Sequence, residues 1–315
     1  MRVALLWLLV GCASETSTPS RVVDADAATD SAPAIPASSY DCRAIGVVRK
    51  SRTPHACVTD PSCKSPMISS HRGAGAPGML APENTLSAIR ASIAVGADVV
   101  ETDVRKTADG QLVLFHDATV ERTLDGKGSV ASLTLAELRA MKMRVSGYDG
   151  DFSCERVPTL IEALALARDN VQLILDASKI DDTEGIVAAV QRADAVTRVV
   201  IDSELDPSRL KRALAVEPKI HVAVRAKTPT ALDAALADIA PQLPIWVHIN
   251  DAAPSSIVPT IRAKGLRAFS LAFVADAVTS LEDPFVGARY RELYDGGVTF
   301  LQTNRPELVV RVLPR

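Results

Sequence analysis

Residues 101–117 of the 315-residue chain read ETDVRKTADGQLVLFHD, and this stretch decides how the rest of the sequence folds. It holds two apolar runs separated by Asp109-Gly110, a dipeptide that is the strongest short signal for a β-hairpin. A crossover between parallel strands needs a dozen or more residues, and too few are available here. The second run is therefore predicted to return antiparallel beside the first.

The length of the turn decides which residues face each other in this hairpin. If the turn has two residues, counting back along both strands places Asp103 opposite His116. Glu101 and Asp103 stand two apart on a strand, so their side chains point to the same side. The hairpin is thus predicted to set a histidine beside two carboxylates. Buried carboxylates are costly, so something cationic must pair with them.

Short apolar runs alternate with helical patterns from Pro66 onward, which indicates parallel β/α units. The runs are nearly all apolar, so both faces of each strand are predicted to be covered, as in a barrel. The candidate strands end in PMISSHRG, ADVVETDV, QLVLFHD, VQLILDAS, TRVVIDSE, KIHVAVRA, PIWVHIN, LRAFSLAF and VTFLQTN. The candidate helices span residues 84–96, 159–169, 206–216 and 228–240.

One strand too many is present for an eight-stranded barrel, and the hairpin accounts for the extra one. The sequence therefore predicts an α/β fold, a (β/α)8 TIM-type barrel with an extra β-hairpin after the second barrel strand. The two acids then lie at the C-terminal end of their strand, where barrel active sites are built. A doubly wound open sheet is the alternative, but no glycine-rich nucleotide fingerprint follows any strand to support it.

The composition indicates one globular domain of roughly 250 residues plus an extension. The net charge is -3 and aromatic residues make up 4%, which argues against a nucleic-acid partner. No run approaches the ~18 apolar residues of a membrane span.

The first residues, MRVALLWLLVGC, resemble a bacterial lipoprotein signal that is cleaved before Cys12 and acylated on its thiol. We predict a signal peptide over residues 1–11 and a flexible Ser/Thr/Ala/Pro/Asp-rich tether over residues 12–39. The predicted localisation is the bacterial cell envelope, with a lipid anchor in the membrane. Ala13 favours the outer membrane. A short signal peptide or a chance match is the alternative.

Four other cysteines are present, which in an exported protein suggests two disulfides in one of three pairings: Cys42, Cys57, Cys63 and Cys154. The first three lie in an N-terminal segment, residues 40–65, and the fourth lies in residues 117–155, between the hairpin and the next helix. Free buried thiols are the alternative. Zinc binding is not expected, because no CxxC pair is present.

Five motifs resemble those of the glycerophosphodiester phosphodiesterases: SSHRGAGAPGMLAPENTLSAI, VVETDVRKTADGQLVLFHD, GKGSVASLTLAELRAM, VPTLIEAL and FLQTNRPELV. The resemblance runs from about residue 66 to 312, although residues 180–295 match only in rhythm. It implies a distorted β/α barrel over residues 66–315, a divalent cation, Mg²⁺ or Ca²⁺, and hydrolysis to glycerol 3-phosphate and an alcohol. It also implies that residues 117–155 cover the mouth of the pocket, where a disulfide from Cys154 to the N-terminal segment would hold them.

By this resemblance, His71 and His116 are the acid and base of the reaction. Phosphodiester hydrolysis needs a base for the nucleophile and an acid for the leaving alkoxide. His71 ends the first strand and His116 ends the hairpin, so both can face one pocket. The alternative for each is a packed, hydrogen-bonded core histidine.

Glu101, Asp103 and Asp176 are the predicted metal ligands. Hard oxygen ligands suit Mg²⁺ or Ca²⁺ better than zinc. An ion pair of the acids with Arg72 or Arg105 is the alternative. The family usually carries Glu-x-Lys on the strand that reads LILDASKI here, so that Asp176 replaces the glutamate.

Lys179 is the lysine nearest the family's substrate-binding position, but on a regular strand it would point away from Asp176. A bulge or an early strand end would restore it. Arg72 is predicted to bind phosphate, with a salt bridge to Glu83 or Asp117 as the alternative.

Trp246, His248 and Asn250 share one face of a strand and are predicted to line the substrate's alcohol portion, with interior packing as the alternative. Asn84-Thr85 and Thr303-Asn304 are predicted to cap helices.

The predicted substrate is a small phosphodiester. Two rival functions remain: a barrel enzyme that hydrolyses lyso- or intact phospholipid, and a binding protein that has lost catalysis through the LILDASK change.

Overall fold

Parallel strands and helices alternate along the chain, as the sequence predicts. The computed structural model describes residues 35–51, 53–74, 80–203, 206–249, 256–276 and 286–313. The strands are β1 (Met67–Ser70), β2 (Val99–Lys106), β3 (Leu112–Leu114), β4 (Gln172–Asp176), β5 (Val199–Asp202), β6 (His221–Val222), β7 (Val224–Arg225), β8 (Val247–Ile249), β9 (Ala268–Leu271) and β10 (Phe300–Thr303).

Helices follow most of the strands, and threonine side chains cap several of their first turns, including those of α2, α4 and α7. The helices are α1 (His55–Thr59), α2 (Leu86–Val95), α3 (Leu135–Ala140), α4 (Leu160–Ala167), α5 (Thr183–Arg192), α6 (Ser208–Val216), α7 (Pro229–Ile239), α8 (Val258–Ala263), α9 (Phe273–Asp276), α10 (Val286–Asp295) and α11 (Pro306–Val309). Within the described ranges, no helix is long and apolar enough to cross a membrane.

Nine of the strands follow one another around the barrel in the order β6-β5-β4-β2-β1-β10-β9-β8-β7. β6 and β7 are the two ends of one strand that is broken at Ala223, so the ring has eight strands. The Ala223 N–H donates to Ile201 O on one side, and the Val224 N–H donates to Trp246 O on the other. One broken strand therefore joins both edges of the sheet. The predicted TIM-type barrel, distorted at this strand, is confirmed.

The hairpin of β2 and β3 is confirmed, but its predicted register is wrong by one residue. Val104 pairs with Leu114, and the Phe115 N–H donates to Asp103 O, so Asp103 faces Phe115 and not His116. The turn has three residues, 108–110, because the Thr107 hydroxyl accepts from the Gln111 N–H and lengthens the loop. Gly110 closes this turn with a φ of 80°.

The strand residues that point into the barrel form layers, and the lower layer lies near the N-terminal ends of the strands. Trp246 is fully buried there, 5.2 Å from the Phe269 ring and 4.7 Å from the Phe300 ring. The prediction that Trp246 lines the substrate's alcohol portion is therefore wrong, because barrel sites form at the opposite ends of the strands. Asn250 lies outside the described residues.

The N-terminal segment closes the lower end of the barrel. Arg267 is buried and donates to the carbonyl oxygens of Cys57 at 2.9 Å and Val58 at 2.6 Å. Its guanidinium also lies 5.0 Å from the centre of the Phe300 ring. Burial lowers the pKa of Arg267 to about 10.

Two disulfides join Cys42 to Cys154 and Cys57 to Cys63. The predicted link from Cys154 to the N-terminal segment is therefore confirmed. Nearby, the Tyr40 and Phe152 rings stack 6.4 Å apart. Residues 40–42 are therefore held against the end of the 117–155 insertion by ring packing as well as by the Cys42–Cys154 disulfide. The predicted lipidation site, Cys12, lies outside the described residues.

Candidate active site

Three buried carboxylates meet at the C-terminal ends of β2 and β4. Glu101 and Asp103 point into the barrel from β2, and Asp176 ends β4 directly beside Asp103 in the strand register. Each residue offers a carboxylate oxygen within 4.8 Å of those of the other two. The structure therefore brings the three predicted metal ligands together.

The electrostatics of this cluster fit a divalent cation. Burial raises the pKa of Glu101 well above its usual range, and the negative charges of Asp103 and Asp176 add to the effect. Burial also raises the pKa of Asp103. The three buried carboxylates carry more negative charge than the two nearby cations, Arg72 and Lys179, balance. An oxygen-only donor set of this kind suits Mg²⁺ or Ca²⁺.

Lys179 reaches the cluster because β4 ends early. A 3-10 turn over Ala177–Lys179 follows Asp176 immediately and turns the lysine back toward the site. Its Nζ lies 3.1 Å from Asp176 Oδ2 and 3.8 Å from Asp103 Oδ1. A bulge or an early strand end was expected to bring Lys179 back to the site, and the structure shows the early strand end.

Arg72 lies between two carboxylates at the edge of the cluster. Its Nε is 3.6 Å from Asp103 Oδ2, its Nη1 is 3.2 Å from Glu83 Oε1, and its backbone N–H donates to Glu101 Oε2 at 3.1 Å. The salt bridge to Glu83, which was the alternative for Arg72, is present. Arg105 does not pair with the acids; its guanidinium donates to the His116 carbonyl at 2.8 and 2.9 Å.

Strained backbone surrounds the cluster. Arg72, Ala74 and Asn84 adopt left-handed φ values of 50°, 60° and 56°, a conformation that costs a non-glycine residue about 1–3 kcal/mol. Two hydrogen bonds to Asp103 offset part of this cost at Asn84. The Asn84 Nδ2 donates to Asp103 Oδ2 at 2.9 Å, and the Asn84 Oδ1 accepts the Asp103 N–H at 3.1 Å. Thr85 caps α2 as predicted, whereas the Asn84 side chain holds Asp103 in place.

His71 is held as a neutral imidazole that faces the cluster. Burial, aided by the positive charge of Arg72, lowers the pKa of His71 to about 3. Its Nδ1 lies 2.8 Å from Asn304 Oδ1, so this hydrogen bond assigns the proton to Nδ1. Nε2, 3.9 Å from Glu101 Oε2, keeps its lone pair. The Phe273 ring covers His71 at 4.7 Å.

Asn304 was predicted to cap the last helix, and that prediction is wrong. Its side chain binds His71, while its backbone N–H donates to Asp276 Oδ2 at 2.7 Å. The Thr303 and Tyr290 hydroxyls donate to the other oxygen of the same carboxylate at 2.6 and 2.7 Å. Burial raises the pKa of Asp276 to about 6.

His116 has a different partner. Its Nδ1 lies 2.7 Å from Asp117 Oδ1, and this hydrogen bond orients the imidazole ring. Burial raises the pKa of Asp117, but hydrogen bonds from Arg122 and His116 outweigh it and hold the pKa at about 2. A charge on His116 acts on both Asp103 and His71, so His116 belongs to the same site despite the shifted hairpin register.

Three more polar residues point into the barrel beside Asp176, and sequence reasoning singled out only one of them, His248. Arg225 Nε and Nη2 donate to the two oxygens of Asp202 at 3.0 and 2.8 Å. His248 Nδ1 lies 3.2 Å from Asp202 Oδ2. Burial opposes the ionised carboxylate, but Arg225 and His248 hold the pKa of Asp202 well below its usual range.

Comparison with protein families matches residues 71–307 to the glycerophosphoryl diester phosphodiesterase family. A glycerophosphodiester phosphodiesterase of Caldanaerobacter subterraneus is 41% identical over 93 residues, which are 30% of this chain and 38% of that protein. Glycerophosphodiester phosphodiesterase 1 of Bos taurus is 48% identical over 86 residues, 27% of this chain and 26% of that protein. The chain thus aligns with well under half the length of these curated relatives.

Solved structures match over much more of the chain. A glycerophosphoryl diester phosphodiesterase of Parabacteroides distasonis superposes with a TM-score of 0.71 at 24% identity, over 82% of this chain and 91% of that one. A phosphodiesterase of Oleispira antarctica, solved with the product sn-glycerol-3-phosphate, gives a TM-score of 0.61 at 24% identity, over 79% of this chain and 96% of that one. These likenesses show the same barrel fold.

Proposed function

The chain belongs to the glycerophosphoryl diester phosphodiesterase family, and from that premise we propose that it hydrolyses glycerophosphodiesters to glycerol 3-phosphate and an alcohol with the help of a divalent cation. The observation that carries the proposal is the meeting of three buried carboxylates and two differently partnered histidines in one pocket. A barrel that had lost catalysis would have no reason to keep this arrangement.

Glu101, Asp103 and Asp176 would hold the cation. When bound, it would supply positive charge to a phosphate oxygen and so favour attack at phosphorus. Arg72 places a forked donor on the same side of the site, and Lys179 adds a second cation beside Asp176. With the three carboxylates bound to the cation, Lys179 and the Nε side of Arg72 could bind the substrate phosphate, while Arg72 Nη1 stays paired with Glu83.

The two histidines divide the proton transfers according to their partners. His71 is neutral with its lone pair on Nε2, so it takes the proton from the attacking water or from the glycerol 2-hydroxyl. Attack by the 2-hydroxyl expels the alcohol and forms a cyclic glycerol phosphate, which a water molecule then opens to glycerol 3-phosphate. His116, whose ring is oriented by the contact of its Nδ1 with Asp117, gives a proton to the leaving alkoxide. The products are glycerol 3-phosphate and an alcohol such as choline or ethanolamine.

Product analysis tests this proposal. We expect ³¹P NMR of glycerophosphocholine incubated with the full-length protein and Mg²⁺ or Ca²⁺ to show the signal of glycerol 3-phosphate. Phosphocholine as the product would mean that the other ester bond breaks. Turnover of lysophosphatidylcholine with no turnover of glycerophosphocholine would favour the rival lipid-hydrolysing function.

We also propose that the protein is exported and anchored by lipid on Cys12, which the lipobox-like sequence before Cys12 supports. Mass spectrometry of the membrane-extracted protein would then show a mature N-terminal peptide beginning at acylated Cys12. An unmodified peptide that contains Met1 would refute the anchor.

A further inference from the structure

A continuous chain of charged side chains connects His116 to Arg72 by way of the 117–155 insertion. Asp117 Oδ2 accepts from Arg122 Nε at 2.6 Å, while Asp117 Oδ1 lies 2.7 Å from His116 Nδ1. Nη1 and Nη2 of Arg122 donate to the two oxygens of Glu83 at 2.7 and 2.6 Å. Glu83 Oε1 then lies 3.2 Å from Arg72 Nη1.

We propose that Arg122 is a positioning residue shared by both halves of the catalytic site, an inference that rests on the proposed function. It contacts neither the metal ligands nor the reacting atoms. It acts through Asp117 on His116, which transfers a proton, and through Glu83 on Arg72, which binds phosphate. One planar guanidinium with two hydrogen-bonding edges can do this, whereas a lysine ammonium cannot match the same geometry.

The physical role of Arg122 follows from the charges on either side of it. Glu83 is buried, with a side chain that is 6% exposed, and the paired edge of Arg122 balances its charge. Without Arg122, Glu83 would draw the Arg72 guanidinium away from the phosphate. Asp117 would likewise lose the hydrogen bond that fixes its second oxygen, so its carboxylate could rotate away from His116.

Arg122 can position these groups because the turn that carries it is itself fixed. The Leu124 N–H donates to Val120 O at 2.9 Å, and both side chains are buried in a small core of the insertion. Arg144 Nε donates to the carbonyls of Glu121 and Leu124 at 3.1 and 2.9 Å. The Arg122 side chain is 43% exposed, but its bidentate bond to a buried carboxylate distinguishes it from a simple surface pair.

Arg144 supplies a matched control, because it supports the same turn but contacts neither Glu83 nor Asp117. For Arg122→Gln we expect kcat/KM for glycerophosphocholine to fall by about 10–100-fold, as for other outer-shell partners, with kcat lowered and KM raised together. Arg122→Lys should recover only part of this loss, and added guanidinium ion should partly rescue Arg122→Ala. Arg144→Gln should lower kcat/KM much less than Arg122→Gln does, because the Leu124–Val120 hydrogen bond and the core of the insertion still hold the turn.

A second measurement does not depend on turnover. In long-range ¹H–¹⁵N spectra of the imidazoles at one fixed pH, with His116 assigned from a His116→Gln variant, Arg122→Gln should shift the His116 signals. Arg144→Gln should not. If the wild-type protein has no turnover, the proposed function fails, and this spectrum still decides the role of Arg122.

Two results would overturn the inference. Equal losses of kcat/KM in Arg122→Gln and Arg144→Gln, without rescue by guanidinium, would show that Arg122 only stabilises the turn. Unchanged His116 signals in Arg122→Gln would show that the chain of contacts does not position the histidine.

Discussion

Replacing His116 by alanine is expected to lower kcat for glycerophosphocholine by about 10²–10⁴-fold, the usual contribution of a general acid or base. The same replacement should cost far less with a glycerophosphodiester of p-nitrophenol. Choline leaves as an alkoxide that needs a proton, whereas p-nitrophenolate is stable without one. Steady-state kinetics of the two substrates measure the difference.

His71→Ala should lower kcat by a similar factor for both substrates, because a base that activates the nucleophile is needed whatever the leaving group. His55 provides the control, since it is only half-buried and hydrogen-bonds the Asp169 carbonyl at 3.2 Å, away from the site. His55→Ala should keep wild-type kinetics. Equal sensitivity of His71→Ala and His116→Ala to the leaving group would contradict the division of roles drawn from their partners.

Replacing Glu101 by glutamine is expected to abolish metal-dependent turnover and, at the same time, to stabilise the metal-free fold. The pKa of Glu101 is raised in the folded protein, so the folded state prefers the neutral form. The metal-free fold therefore loses stability as pH rises from the pKa of Glu101 in the unfolded chain to its higher pKa in the folded protein. A permanently neutral glutamine removes this penalty and keeps an oxygen for the Arg72 N–H.

Thermal unfolding in EDTA measures this effect. Each unit of pKa shift corresponds to about 1.4 kcal/mol. A change of 1 kcal/mol moves the Tm of a large domain by about 2–4 °C, so each unit by which the fold raises the pKa of Glu101 should separate Glu101→Gln from the wild type by about 3–6 °C at pH 8. The difference should shrink toward pH 4.

Addition of Mg²⁺ or Ca²⁺ should then raise the Tm of the wild type but not that of Glu101→Gln. Glu155→Gln is the matched control, because Glu155 is also a buried carboxylate whose pKa burial raises, but it accepts from Ser87 at the start of α2, outside the cluster. That variant should keep the metal-induced rise. A metal-induced rise in Glu101→Gln equal to that of the wild type would contradict the ligand assignment.

The barrel could be predicted because it depends on local signals. Apolar runs, helix periods and the Asp109-Gly110 turn fix the order of the elements, and the crossover length alone excludes β3 from the ring. The hairpin register could not be fixed in the same way. It depends on the Thr107 hydroxyl, which adds one residue to the turn and is invisible to a rule based on the turn dipeptide.

The site was predictable where its residues fall in one stretch of chain and not where distant stretches meet. Asn304 binds His71 across 233 residues of sequence, and no local pattern reports that contact. Trp246 shows a second limit. A period of two tells which face of a strand a residue occupies, but it does not tell how deep in the barrel that residue lies.

The initial rate of glycerol 3-phosphate release from glycerophosphocholine tests the metal site most directly, measured on wild-type protein before and after metal removal and again after metal is restored. EDTA should stop release, and Mg²⁺ or Ca²⁺ should restore it. Undiminished release from fully demetallated, folded protein would contradict the assignment of Glu101, Asp103 and Asp176 as a catalytic metal site.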